Sequence, residues 1–79
     1  MNVSTDDIKS IPAGALRLFP VEDGSKAKSA RSLVSIVKNE TGGMPDGVVD
    51  YEFRKYVLET GIVVGIRAMR EGDIKFLRR

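Results

Sequence analysis

Residues 62–69, Ile-Val-Val-Gly-Ile-Arg-Ala-Met, constrain the fold more than any other stretch of the chain. In an extended strand Ile62, Val64, Ile66 and Ala68 share one face, and Val63, Gly65, Arg67 and Met69 share the other. Both faces are mainly apolar, which is the pattern of a central strand with a neighbour on each side. The rest of the sequence must therefore supply further strands and a layer to cover the sheet.

Ala15 to Val21 is a short strand candidate. Pro20 cannot donate to a ladder, so this strand ends there or lies at an edge. Residues 48–58 are open to two readings. Val49, Tyr51 and Phe53 alternate with Asp50, Glu52 and Arg54. A helix through Val49, Phe53, Tyr56 and Val57 also fits, but β-branched and aromatic residues favour the strand. The alternation slips at Lys55, because Tyr56 and Leu58 take the opposite parity, and a bulge there is the expected repair. Glu59-Thr60-Gly61 then reads as a hairpin turn into the central strand.

The covering layer is one helix from Lys26 to Asn39. Ala30, Leu33, Val34 and Val37 follow the i, i+3, i+4, i+7 spacing of a single buried stripe, with Ala27 extending it. Glu22-Asp23-Gly24-Ser25 is a turn able to cap this helix, and Gly42-Gly43 stops it. Upstream, Ser4-Thr5-Asp6-Asp7 has the form of a helix start, with Pro12 and Gly14 ending it within about two turns. Downstream, Arg70-Glu71-Gly72-Asp73 reads as a turn, and 74–77 is a candidate edge strand. The expected fold is α+β: a small two-layer domain with one helix on an antiparallel sheet, in the order β-α-β-β. Residues 1–14 form an N-terminal arm or short helix, and 15–79 a single domain.

The 79 residues include no Cys and no His. That removes disulfide frameworks, Cys/His metal sites, cysteine nucleophiles and histidine general bases. Below about 70–80 residues one unstapled core rarely supplies more than ~3–5 kcal/mol, so such a chain packs well or shares a core with a second copy. The absence of Cys suits a reducing cytosol. The first ten residues lack the apolar run of a secretory signal. The longest apolar stretch, Ile62 to Ile66, is far short of the ~20 residues that span a bilayer. These features predict a cytoplasmic protein without membrane contact. Asp50 and Glu52 share a strand face at carboxylate-pair spacing, which more simply describes a solvated face. The glycine-rich 42–47 stretch follows a helix and lacks the Gly-Lys-Ser/Thr ending of a phosphate loop. Nothing in the sequence calls for an enzyme, a cofactor or a metal.

Charge is more informative by segment than in total. The net charge is only +2, but residues 25–39 carry four bases and no acid, and residues 67–79 carry five bases against two acids. The first set is Lys26, Lys28, Arg31 and Lys38, and the second is Arg67, Arg70, Lys75, Arg78 and Arg79. Together they hold +7, which leaves −5 for the remainder. Lys28, Arg31 and Lys38, with Ser32 and Ser35, occupy the helical arc opposite the apolar stripe. Bases interleaved with small hydroxyl residues suit contact with phosphate oxygens, although a solvated helix face has the same composition. Tyr51, Phe53 and Tyr56 are candidate stacking rings, with Tyr56 the one most able to face outward.

Four pieces resemble a loose class of small bacteriophage and mobile-element proteins. They are Ile11-Pro12-x-Gly14, Leu18-Phe19-Pro20-Val21, Lys28-Ser29-Ala30-Arg31-Ser32-Leu33 and Gly61-Ile62-Val63-Val64-Gly65-Ile66-Arg67. The resemblance spans roughly residues 8–68. It implies a small accessory protein that acts by binding, with no established active site. The expected partner is nucleic acid, met by Lys26, Lys28, Arg31, Ser32, Ser35, Lys38, Arg67, Arg70, Arg78 and Arg79, with Tyr56 as a stacking ring. The alternative is a protein-interaction module, either a homodimer or an inhibitor of a host protein, acting through a sheet edge or an apolar face.

Overall fold

The computed structural model describes residues 3–40 and 44–73. The elements run α1 (Thr5–Lys9), β1 (Leu16–Val21), α2 (Gly24–Asn39), β2 (Asp50–Leu58) and β3 (Gly61–Met69). The three strands form one antiparallel sheet in the order β1-β3-β2. The doubly apolar segment is the middle strand, as its pattern requires, and the fold is α+β with α2 packed on the sheet. Pro20 lies inside β1, which is tolerable because β1 is an edge. The Gly42-Gly43 helix stop and the 74–77 strand lie outside the described residues.

Local chemistry sets each element. At α1 the Ser4 hydroxyl accepts from the Asp7 backbone N–H at 3.2 Å, and the Asp7 carboxylate accepts from the Ser4 backbone N–H at 2.9 Å. This reciprocal capping box satisfies two donors that the first helical turn leaves unpaired. Asp23 caps α2 in the simpler way, accepting from the Lys26 N–H at 3.0 Å. The β2–β3 hairpin closes over Glu59 and Thr60, with Leu58 opposite Gly61. Gly61 takes a φ of +141°, a backbone conformation costly for a side-chain-bearing residue.

The core lies between α2 and one face of the sheet. Ala27, Ala30, Val34 and Val37 of α2 meet Val64, Ile66 and Ala68 of β3, Phe19 and Val21 of β1, and Tyr51 of β2. Ile8 and Ile11 complete it, both essentially solvent-free. The N-terminal stretch is therefore part of the core, with α1 packed against α2.

No bulge interrupts β2. Its register with β3 is continuous from Asp50 opposite Met69 to Leu58 opposite Gly61. The parity slip has another cause: Tyr56 and Leu58 point to the sheet face that α2 does not cover. There they join Leu16 and Leu18 of β1, all four exposed. Gly65 lies beneath them. A Cβ on it would stand 3.2 Å from both Leu18 Cδ2 and Tyr56 Cε2, so glycine lets these side chains close over the middle strand. The apolar second face of the middle strand thus serves an uncovered surface.

Because Ile8 is fully buried among aliphatic neighbours, Ile8→Ala is expected to cost about 2–5 kcal/mol in urea unfolding. A loss below about 1 kcal/mol would contradict its place in the core.

Candidate nucleic-acid interface

A groove of about 550 Å³ runs between α2 and β2, the edge strand on that side. Lys28, Arg31 and Lys38 line it from the helix and Lys55 from the strand, with Tyr51 and Phe53 contributing its aromatic lining. The arrangement follows from two periodicities. Positions 28, 31, 35 and 38 recur along one side of α2, beside the buried stripe. Tyr51, Phe53 and Lys55 share a strand parity, so an unbroken β2 turns all three toward the helix.

The cations differ in how free they are. Lys38 Nζ sits 2.7 Å from Asp50 Oδ1, which closes one end of the groove with an ion pair. Lys28, Arg31 and Lys55 have no carboxylate within ion-pair distance among the described residues. Glu40, close in sequence, is drawn instead to Lys9 at 3.4 Å. Glu52 pairs with Arg54 at 3.3 Å on the opposite sheet face. The Asp50/Glu52 spacing is therefore not a carboxylate pair, since each acid has its own base.

Tyr51 is 5% exposed, and its hydroxyl is buried with no hydrogen-bond partner among the described residues. Burial pushes the phenol above its ordinary value of 10.0, so at neutral pH it is a protonated donor. An unsatisfied buried hydroxyl is costly, and among the described residues it is the one buried side-chain polar atom found without a partner.

The residues named from the sequence divide into three groups. Lys28, Arg31, Ser35 and Lys38 line the groove. Ser32 lies to one side, in a shallow hollow with Ser35 and Ile36, where its hydroxyl donates to the Lys28 carbonyl at 3.2 Å. Lys26 is in the first turn of α2 and does not line the groove. Arg67 and Tyr56 are on the opposite face of the sheet, in a hollow with Glu52 and Arg54. Arg70 is at the end of β3, where its guanidinium Nε meets Asp73 at 3.3 Å. Arg78 and Arg79 lie outside the described residues. The helix bases and the bases after residue 66 therefore do not converge on one surface among the described residues. Lys55 was missed in the sequence because the expected bulge obscured its parity; counting by twos from Tyr51 finds it.

Comparison with protein family models, with curated proteins and with solved structures returns no match to this chain. Among the described residues no group of three or more acidic, Cys or His side chains is arranged to hold a metal ion. No helix among them is long and apolar enough to cross a membrane.

Three aspartates are held below the ordinary value of 3.8. For Asp7 the Ser4 backbone N–H is the main cause, and for Asp73 the Arg70 backbone N–H. For Asp50, burial pushes the carboxyl up, but Lys38 and the Tyr51 N–H together outweigh it. A depressed carboxyl contributes stability that is present above the unfolded value and is lost as pH falls through the folded one. The melting temperature is therefore expected to fall as pH drops below about 4, and Asp50→Asn to remove part of that dependence. A melting temperature that held or rose on acidification, followed by circular dichroism, would contradict these pairings.

Proposed function

We propose that the chain is a small non-enzymatic accessory protein that binds nucleic acid through the α2–β2 groove. The observation that carries this reading is the convergence of Lys28, Arg31 and Lys55, from two different elements, with no carboxylate within ion-pair distance of them among the described residues. Concentrated unpaired cations bind a polyanion by releasing its condensed counterions, with little sequence preference. Placing three of them along one concave surface fixes the path of the bound backbone. The sequence resemblance to phage and mobile-element accessory proteins agrees with a protein that acts by binding alone. Arg67 and Arg70 have no part in this contact, being elsewhere on the surface.

The affinity for a labelled oligonucleotide should fall steeply with salt. Replacing Lys28, Arg31 and Lys55 together by Gln should lower the slope of log K against log salt by about 2 for a single strand. Asp50→Asn, which releases Lys38 into the groove, should raise the affinity instead. No binding at low salt, or a triple variant with an unchanged slope, would overturn the reading.

A second reading, self-association, rests on the uncovered sheet face. Leu16, Leu18, Tyr56 and Leu58 are exposed there beside Glu52 and Arg67. A two-fold contact between copies through this face would bury these apolar side chains. On this reading, sedimentation equilibrium finds a dimer that Leu18→Lys dissociates. A monomer at high concentration would dismiss it.

A further inference from the structure

Backbone bonding leaves one stretch of sheet edge open. Ala68 turns both of its backbone groups toward β1: its N–H donates to the Ala15 carbonyl at 3.0 Å, and its carbonyl accepts from the Gly14 N–H at 2.7 Å. Met69 turns its carbonyl the other way, where the Val49 N–H reaches it at 2.9 Å. Backbone groups alternate along an antiparallel ladder, so Arg67, Gly65 and Val63 face β2 and bond to Glu52, Arg54 and Tyr56. Tyr51, Phe53, Lys55 and Val57 therefore present their N–H and C=O groups to the outer edge of β2. The Asp50 carboxylate accepts from the Tyr51 N–H at 2.8 Å and so occupies the first of these donors. Among the described residues nothing bonds to the main chain of Phe53, Lys55 or Val57 on that side. The other edge, β1, turns Leu16, Leu18 and Pro20 outward, and Pro20 has no N–H to offer.

This edge borders the groove. Phe53, Lys55 and Val57 share the sheet face that α2 covers, so a strand paired with them turns every second side chain toward Lys28 and Arg31. Lys28, Arg31 and Lys55 have no carboxylate within ion-pair distance among the described residues. We propose that the open edge of β2 accepts an extended acidic segment of another protein as a further antiparallel strand, with alternate carboxylates set against Lys55, Lys28 and Arg31. Main-chain hydrogen bonds supply the affinity, and the cations supply the preference for acid. A second copy of this chain fits the edge poorly. The register that engages all three open positions of two copies sets Lys55 directly against Lys55, and like charges at opposed positions work against pairing. The proposal goes beyond the nucleic-acid reading, which needs the cations but not the edge. Both ligands use Lys28, Arg31 and Lys55, so each excludes the other.

The test measures fluorescence anisotropy of a short labelled peptide of alternating Thr and Glu with the wild-type protein. Opposed residues of an antiparallel pair share a face, so the glutamates lying in the groove are also the residues whose N–H groups bond to β2. N-methylation of the glutamate nitrogens should weaken binding about tenfold or more. N-methylation of the threonine nitrogens, whose N–H groups turn away from β2, should leave it within about twofold. A peptide of alternating Thr and Lys should not bind. Val57→Pro removes an outward donor at an exposed position without touching the β2–β3 ladder. It should weaken the Thr-Glu peptide several-fold and leave the oligonucleotide affinity unchanged, because Val57 does not line the groove. The N-methylated peptides are read on the wild type, so the test stands even where Val57→Pro fails to fold. Equal binding of the two N-methylated peptides, or wild-type peptide affinity in folded Val57→Pro, would overturn strand addition. Failure of the acidic peptide to bind a protein that binds the oligonucleotide would overturn it too and spare the nucleic-acid reading. Peptide binding with the expected N-methylation pattern, but no oligonucleotide binding, would support strand addition and overturn the nucleic-acid reading.

Discussion

The packing of the middle strand against one helix governs this molecule. Val64, Ile66 and Ala68 present a fully buried row, and Ala27, Ala30, Val34 and Val37 return a row of small and branched side chains. The two alanines matter because they let the helix axis approach the sheet closely. With that contact fixed, the positions of 28, 31, 35 and 38 beside the stripe follow from helical geometry. The groove is what remains between that side of the helix and the edge strand β2. Its charge is thus a consequence of the core: the residues that set the helix on the sheet also set which polar positions face β2.

A sheet with one helical layer has two unequal faces. Here the difference is written into β2, whose inward residues are Tyr51 and Phe53 near its start, while its outward apolar residues, Tyr56 and Leu58, come near its end. Gly65 at the centre of the far face lets Leu18 and Tyr56 close over the strand. The polar groove and the apolar far face are therefore separate surfaces on opposite sides of one sheet. A ligand in the groove and a second copy on the far face would not compete for the same residues.

The antiparallel sheet with a covering helix, and the middle position of 62–69, were legible in the sequence because each rests on a periodicity or on punctuation. The helix stripe is a 3.6-residue repeat, Pro20 marks an edge, and Glu59-Thr60-Gly61 marks a hairpin. What misled was the assumption that every apolar residue of 48–58 belongs to one face. That assumption demands a bulge at Lys55. The structure keeps the ladder regular and gives Tyr56 and Leu58 to the other face, because a three-stranded sheet has only one covering helix. The role of 8–11 was also hidden: an amphipathic turn this short has too few residues to show a period, and its burial is decided by α2. The site was half legible. The helix bases were visible as a run without acids, but charge by segment could not tell that Arg67 faces away from them. Nor could it tell that the Tyr51 hydroxyl is left without a partner, which only the packed structure reveals.

The central claim is that ligand recognition takes place between α2 and β2. Backbone amide shifts recorded by NMR during titration with a short single strand locate the contact directly. The largest changes should cluster at Lys28, Arg31, Tyr51, Phe53 and Lys55 and leave Leu16, Leu18 and Tyr56 unmoved. Changes centred on the far face of the sheet, or none at saturating strand, would contradict the account.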